Sequence, residues 1–105
     1  MSFRESRYYK GDVGIVHRSM SGILLNEKFD VLENNHRDHF IIFKTKKGLF
    51  NRQQYELTVR FIRHDKRVEA QIYANDANDT HQSKNTALKL LDELDEAVPV
   101  VTPKY

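Results

Sequence analysis

Residues 55–74 read YELTVRFIRHDKRVEAQIYA, and in this stretch apolar and polar side chains alternate in two runs. A period of two places successive side chains on opposite faces of a strand. The apolar members of the two runs are Tyr55, Leu57, Val59, Phe61, Val68, Ala70, Ile72 and Ala74. Between the runs, the charged residues 64–67 indicate a short connection. The stretch therefore predicts a β-hairpin with one buried face.

A second pattern, with apolar residues three and four positions apart, extends from about residue 81 to residue 97. Its apolar members are Ala87, Leu90, Leu91, Leu94 and Val98. This spacing predicts an amphipathic helix, and Pro99 helps to end it. We expect the helix to cover the apolar face of the hairpin, because burial of each leucine would contribute roughly 1.5–3 kcal/mol of transfer free energy.

The segments before the hairpin give weaker signals. Residues 39–45 form a β-branched and aromatic run of strand length, and residues 13–17 favour a further short strand. Residues 19–33 fit either a strand or a helix. We favour the strand, because Asn26 and Asp30 are weak helix formers, and both interpretations stay open.

We predict one domain over residues 1–105, with loosely ordered tails at residues 1–10 and 99–105. The predicted fold class is α+β, with an antiparallel sheet of four to five strands and the C-terminal amphipathic helix packed on one face. The predicted core consists of Ile41, Phe43, Leu57, Val59, Phe61, Val68, Ala70, Ile72, Leu90, Leu91 and Leu94.

If residues 19–33 form a helix, the element order is β-α-β-β-β-α. That order resembles the one in small double-stranded-RNA-binding-like domains, among them ribosome hibernation factors. The last predicted helix departs from those factors, in which it is basic, because it carries the acidic residues Asp92, Glu93, Asp95 and Glu96. The resemblance rests on element order, so no site residue is transferred from it.

The composition is that of a globular chain, with 39% hydrophobic and 30% charged residues. Because there is no cysteine, disulfides, cysteine-based zinc sites and thiol nucleophiles are excluded. No stretch approaches the roughly 20 apolar residues that span a bilayer. The basic residues near the N-terminus precede no apolar run of the kind that signal peptides contain. We therefore expect a cytoplasmic protein without a membrane partner.

Charge is unevenly distributed along the chain, although the net charge is only +2. Residues 1–35 are neutral overall, residues 36–67 carry +6 and residues 68–105 carry −4. Basic side chains neutralise phosphates, and interleaved aromatic side chains can stack on bases. The candidate nucleic-acid-binding residues are Lys44, Lys46, Lys47, Arg52, Arg60, Arg63, Lys66 and Arg67. Alternatively, these cations keep strand edges soluble or are neutralised by the acidic helix.

No catalytic constellation is recognisable in the sequence. His36, Asp38 and His39 stand close together, but a polar turn explains them, and we expect no metal site. Ser19 and Ser21 are not part of a Gly-x-Ser-x-Gly elbow, and no glycine-rich phosphate-binding loop is present. We therefore expect a non-enzymatic protein without a cofactor.

Two functional hypotheses follow. The first is a small intracellular binding or accessory module that acts through protein–protein contact, with an unknown protein or with a second copy of itself. Sheet edges and the apolar residues of segment 13–32 would supply its interface. The second is an RNA- or DNA-associated protein that uses the basic sheet face of residues 44–67.

Overall fold

The structure, a computed structural model, describes residues 4–45, 54–74 and 81–98, so the tail expected at residues 99–105 lies outside it. Seven elements follow one another: β1 (Arg4–Lys10), α1 (Val13–Asn26), β2 (Asp30–Asn35), β3 (Phe40–Lys44), β4 (Glu56–His64), β5 (Arg67–Ala74) and α2 (His81–Ala97). The strands form one antiparallel sheet in the order β1-β5-β4-β3-β2. The predicted α+β fold class is confirmed.

The hairpin predicted at residues 55–74 lies in the middle of the sheet. Its strands β4 and β5 pair in register up to His64 opposite Arg67. In the two-residue connection, Asp65 has a φ of 43°, which is the left-handed region that aspartate tolerates in turns. All eight apolar members of the alternating runs are buried, as expected for side chains that share the core-facing side of the hairpin.

The helix predicted near residues 81–97 is also confirmed, with the bounds of α2. α2 contacts β1 and β5, and α1 contacts β4 and α2, so that both helices enclose one core with the sheet. All eleven predicted core residues belong to that core. Neither helix in the described ranges combines the length and the apolar content that a membrane-spanning helix needs.

The strand favoured for residues 13–17 is wrong, because Val13–Asn26 is a helix. The strand favoured for residues 19–33 is wrong up to Asn26 and correct only from Asp30, where β2 begins. The carboxylate of Asp12 caps its N-terminus by accepting a hydrogen bond from the backbone N–H of Gly14, at 3.1 Å. The buried residues of the helix recur three and four positions apart: Val13, Val16, His17, Met20 and Leu24. Packing of these side chains outweighs the weak helix propensity of Asn26, whereas Asp30 lies outside the helix, at the start of β2.

A separate strand, β2, follows α1, so the element order is β-α-β-β-β-β-α. This order has one strand more than the β-α-β-β-β-α order that a helical segment 19–33 would have given. The resemblance to double-stranded-RNA-binding-like domains rested on that order and therefore loses its basis.

The loose N-terminal tail predicted for residues 1–10 is wrong for its greater part, since β1 pairs with β5 at the edge of the sheet. Tyr9 is fully buried, and its hydroxyl donates a hydrogen bond to Oδ1 of Asp95 at 2.7 Å. Nη1 of Arg7 lies 2.6 Å from a carboxylate oxygen of Asp92 and 2.6 Å from one of Asp95. These contacts fasten β1 to α2.

Candidate binding surfaces

One face of the sheet, which we call the outer face, is not covered by α1 or α2, since both described helices pack on the other face. β4 shows the alternation that separates the faces: Val59 is buried in the core, and Arg60 is exposed on the outer face. The outer-face residues of β1, β3, β4 and β5 are Arg4, Ser6, Tyr8, Lys10, Phe40, Ile42, Lys44, Glu56, Thr58, Arg60, Ile62, His64, Arg67, Glu69, Gln71 and Tyr73. The outer face therefore combines cations with aromatic rings.

The structure divides the predicted nucleic-acid-binding residues among several places. Three of them lie on the outer face: Lys44, Arg60 and Arg67. Arg63 points to the helix side, where its Nη2 is 3.8 Å from Oδ1 of Asp12, and Lys66 lies in the β4–β5 connection. The other three predicted residues lie outside the described ranges: Lys46, Lys47 and Arg52.

A cavity of about 750 Å³ opens at the β4–β5 connection, and we call it the turn pocket. Its lining residues are Lys10, His64, Asp65, Lys66 and Arg67. Beside it, the guanidinium carbon of Arg67 lies 4.5 Å from the ring centroid of Tyr8, which is a cation–π contact. The turn pocket thus brings two residues of the predicted basic set, Lys66 and Arg67, together with a cation from β1.

Glu69 holds the imidazole of His64 at this pocket. His64 Nε2 is 2.8 Å from Glu69 Oε1, and the Glu69 side chain is only 11% exposed. Burial by itself would raise the pKa of Glu69, but hydrogen bonds from Ser6 and His64 outweigh burial and lower it. Because a carboxylate only accepts hydrogen bonds, Nε2 of His64 carries a proton and is the donor.

Sequence reasoning missed Lys10, Tyr8 and His64 in this region. The sequence places Lys10 and Tyr8 in a loose tail, whereas pairing of β1 with β5 sets Lys10 opposite Arg67. That pairing joins segments that are far apart in the chain, so no local sequence pattern predicts it. The one local sign of a strand here is the adjacent pair Tyr8 and Tyr9. A strand would place one of these aromatic rings on the core side and the other on the outer face.

A second cavity, of about 510 Å³, lies on the outer face and is lined by Asp38, Phe40, Ile42, Thr58, Arg60 and Tyr73. In it, Arg60 stands opposite Phe40 on the neighbouring strand. The guanidinium carbon of Arg4 lies 5.8 Å from the ring centroid of Tyr73. Tyr73 and Arg67 are separated along β5 by roughly 20 Å, so the two cavities lie at different ends of the same face.

Exposed aliphatic side chains gather on the first helix and the strand after it. The exposed large apolar residues within the described ranges are Ile15, Leu25, Val31 and Leu32. β2 is an edge strand, and among the five described strands it alone has no buried residue. The register shifts between Val31 and Glu33, which makes Leu32 a β-bulge. We call β2 together with Leu25 the edge surface.

Three histidines meet where α1 packs against the β2–β3 connection. His17 is fully buried, and its ring stacks on those of His36 and Phe61, with 4.4 Å and 4.8 Å between centroids. Nδ1 of His17 lies 3.2 Å from Nδ1 of His39, and its Nε2 lies 2.7 Å from Oδ1 of Asn34. Since the amide oxygen accepts, Nε2 of His17 carries the proton and Nδ1 is left as an acceptor for His39.

The surroundings of His17 lower its pKa. Burial is the largest cause, and the hydrogen bond with Asn34 acts in the opposite direction. Positive charge on His36, His39 or Arg18 lowers the pKa further. In the part of the chain that the structure describes, no three histidine or carboxylate side chains are arranged to hold a metal ion. The histidine cluster is therefore a packed contact between α1 and the β2–β3 connection.

A third cavity, of about 220 Å³, lies between the end of α1 and α2 and is lined by Glu27, Phe29, Thr45, Thr86, Lys89, Leu90 and Glu93. Burial and the adjacent carboxyl group of Glu27 raise the pKa of Glu93. The two carboxyl groups therefore lie close together where the end of α1 meets α2.

No protein-family model and no curated protein matches this chain. Among solved structures, the chain is similar to the crystal structure of TTHA0849 from Thermus thermophilus. The two chains are 16% identical, the similarity covers 92% of this chain and 90% of that one, and the TM-score is 0.45. This similarity assigns no function to any of the surfaces described above.

Proposed function

We propose that this protein is a non-enzymatic binding module that acts through protein–protein contact at the edge surface, with a second copy of the chain as its partner. The observation behind this is β2, an edge strand without a single buried side chain. The groups at the edge surface are aliphatic side chains and strand backbone. They can make apolar contacts and hydrogen bonds with a partner, but they do not perform acid–base or nucleophilic chemistry. A cytoplasmic location is part of the proposal, and the absence of cysteine is consistent with it.

Backbone pairing makes a second copy a suitable partner for β2. An edge strand presents unpaired N–H and C=O groups to which another strand can bind. In a two-fold antiparallel pairing centred on β2, the opposing residues would be Asp30 and Asn35, Val31 and Asn34, and Leu32 and Glu33. No like charges face each other in this arrangement. Each copy contributes the same patch to the contact, so the assembly is complete with two copies.

The other sheet edge, β1, is less suited to self-pairing. The same centred arrangement would place Arg4 opposite Lys10 and Arg7 opposite Arg7 of the second copy. Like charges directly opposite each other destabilise a strand pair. Charge therefore favours β2 over β1 as the contact between copies.

Light scattering after size exclusion tests the self-association. With rising concentration, we expect the wild-type mass to move from the 12.4 kDa of one chain towards twice that value. Leu32→Lys places a charge in the contact and is expected to stay at the mass of one chain. The matched control is Ile15→Lys, since Ile15 and Leu32 are 50% and 51% exposed but Ile15 lies on the helix. A wild-type mass of one chain at every concentration, or equal loss in both variants, would contradict the proposal.

The outer face supports a second candidate function, the binding of single-stranded RNA or DNA. Cations on this face can neutralise phosphates, and aromatic rings can stack on unpaired bases. The specific observation is the interleaving of the two types: Arg60 lies opposite Phe40, and Arg4 lies beside the ring of Tyr73.

Fluorescence anisotropy with a labelled single-stranded oligonucleotide, repeated at several salt concentrations, measures this binding. Log affinity should fall with log salt concentration, with a slope near −0.7 for each phosphate neutralised. We expect Arg60→Gln to make the slope shallower by about 0.7. Arg18→Gln, an exposed arginine on α1, is the control and should leave the slope unchanged. Equal slopes for the wild type and Arg60→Gln would show that the oligonucleotide does not bind at the outer face.

A further inference from the structure

We propose that the turn pocket binds the phosphate group of a nucleotide. The turn pocket is separate from the edge surface, so this inference does not depend on self-association. It also goes beyond the second candidate function. That function concerns binding of a strand along the outer face, whereas this inference concerns a single phosphate site at one end of the sheet. A free nucleotide and the end of an oligonucleotide both carry this chemical group, and the measurements below separate them.

The charge of the turn pocket favours an anion. Lys10, Lys66 and Arg67 contribute three cations, which outnumber the carboxylate of Asp65. Within residues 4–45, 54–74 and 81–98, neither Lys10 nor Lys66 forms an ion pair. Their charges are therefore available to a ligand.

Arg67 is held in a position that suits phosphate recognition. Its guanidinium lies over the ring of Tyr8, with 4.5 Å between the guanidinium carbon and the ring centroid. All the N–H donors of a guanidinium lie in its plane, so a cation–π contact through the guanidinium carbon does not use them. The edge of the plane presents two parallel donors, which match two oxygens of a phosphate.

His64 adds a polar ring of fixed orientation to the lysine and arginine charges. Its Nε2 donates to the buried carboxylate of Glu69 at 2.8 Å, which fixes the orientation of the ring. Nδ1 is then the ring nitrogen that is left to face a ligand.

The size of the turn pocket suits more than an inorganic ion. The pocket is open to solvent and leaves about 750 Å³ of space beside its five lining residues, so a group attached to the phosphate has room there. A phosphate group alone would fill a small part of this space. We therefore expect a nucleoside monophosphate to bind with its phosphate at Arg67 and Lys66, and with its nucleoside in the remaining volume.

Isothermal titration calorimetry at low salt tests this with three probes: inorganic phosphate, a nucleoside monophosphate and the same nucleoside without phosphate. We expect both phosphates to bind and the nucleoside not to bind. Arg67→Gln should weaken binding of the monophosphate by about tenfold or more, because it removes charge-assisted hydrogen bonds. Lys66→Gln should weaken it as well, by about threefold or more.

Arg60→Gln is the matched control, because it removes the same charge from the outer face at a residue outside the turn pocket. Monophosphate affinity should stay within about twofold of the wild type, since the charge is distant and screened. Lys66 is exposed in the connection, so Lys66→Gln keeps the test valid even if Arg67→Gln alters the fold through loss of its contact with Tyr8. Absence of phosphate binding by the wild type, or equal losses in Arg60→Gln and Lys66→Gln, would overturn the inference.

Two oligonucleotides of one sequence, with and without a 5′-phosphate, identify the source of the phosphate. Tighter binding of the phosphorylated strand that Arg67→Gln abolishes supports the turn pocket as the site for a strand end. Binding of the monophosphate without any oligonucleotide binding also supports the turn pocket and removes the second candidate function. Equal binding of both strands together with no binding of the monophosphate overturns the inference.

Discussion

Replacing Tyr9 with phenylalanine should lower the free energy of unfolding by about 1.5–3 kcal/mol. The hydroxyl of Tyr9 donates to Oδ1 of Asp95 at 2.7 Å and lies 3.3 Å from the carbonyl oxygen of Leu91. Phenylalanine fills the same space but leaves these acceptors without their donor, and one of them is charged. Arg7 still contacts the carboxylate of Asp95, so the charge remains paired and the loss stays within this range.

The adjacent tyrosine provides the matched control. Tyr8→Phe should change the free energy of unfolding by less than about 0.5 kcal/mol, because Tyr8 lies on the outer face and phenylalanine keeps the ring over which Arg67 lies. Urea denaturation of the wild type and of both variants measures the difference. Equal destabilisation by the two replacements would contradict the register of β1, which alone decides which tyrosine is buried.

Acidification should destabilise the protein through His17. Burial lowers the pKa of His17 in the folded state, whereas in the unfolded chain it stays near 6.5. Between the two values the unfolded chain binds a proton that the folded protein does not, so stability falls as the pH falls. The contribution of His17 is fully present above about pH 6.5 and is lost as the pH drops towards the folded pKa. One proton accounts for a slope of at most about 1.4 kcal/mol per pH unit.

His17→Gln isolates this effect, because glutamine is polar but does not titrate. We expect the variant to be less stable than the wild type at pH 7.5, since it loses the stacking on His36 and Phe61. Between pH 7.5 and pH 5.5 its stability should depend less on pH than that of the wild type. Urea denaturation at intervals of half a pH unit provides the slopes. Identical slopes would show that other groups cause the pH dependence.

The hairpin and α2 could be predicted because their signals are local and unbroken. The alternation over residues 55–74 continues on both sides of a two-residue connection, and the leucines of α2 recur without interruption. In each case one apolar face is complete within a single stretch of chain. The predicted core followed from these two faces and from the run at residues 39–45, and all of it is buried in the structure.

β1 and α1 could not be predicted, because distant contacts stabilise them. β1 pairs with β5, and its inward side chains Arg7 and Tyr9 bind groups of α2, which the local sequence does not reveal. The buried face of α1 includes His17, which a sequence pattern counts as polar. Without that position the apolar pattern of the helix is incomplete, and the local sequence favours a strand.

The candidate surfaces were only partly visible in the sequence for the same reason. The excess of positive charge over residues 36–67 is real, but a strand separates Arg60 and Arg63 onto opposite faces, since their numbers differ by three. Lys10 joins Lys66 and Arg67 only because β1 pairs with β5. The turn pocket therefore depends on a strand that the sequence did not predict.

Amide hydrogen exchange along the two sheet edges, measured at low and at high protein concentration, tests the contact between copies most directly. A dimer through the edge surface predicts that exchange in Asp30–Asn35 slows as the concentration rises, because its free N–H groups become paired. Exchange in Arg4–Lys10, at the other edge, should stay the same. Exchange in β2 that does not depend on concentration, or slower exchange in β1 instead, would contradict the proposed function.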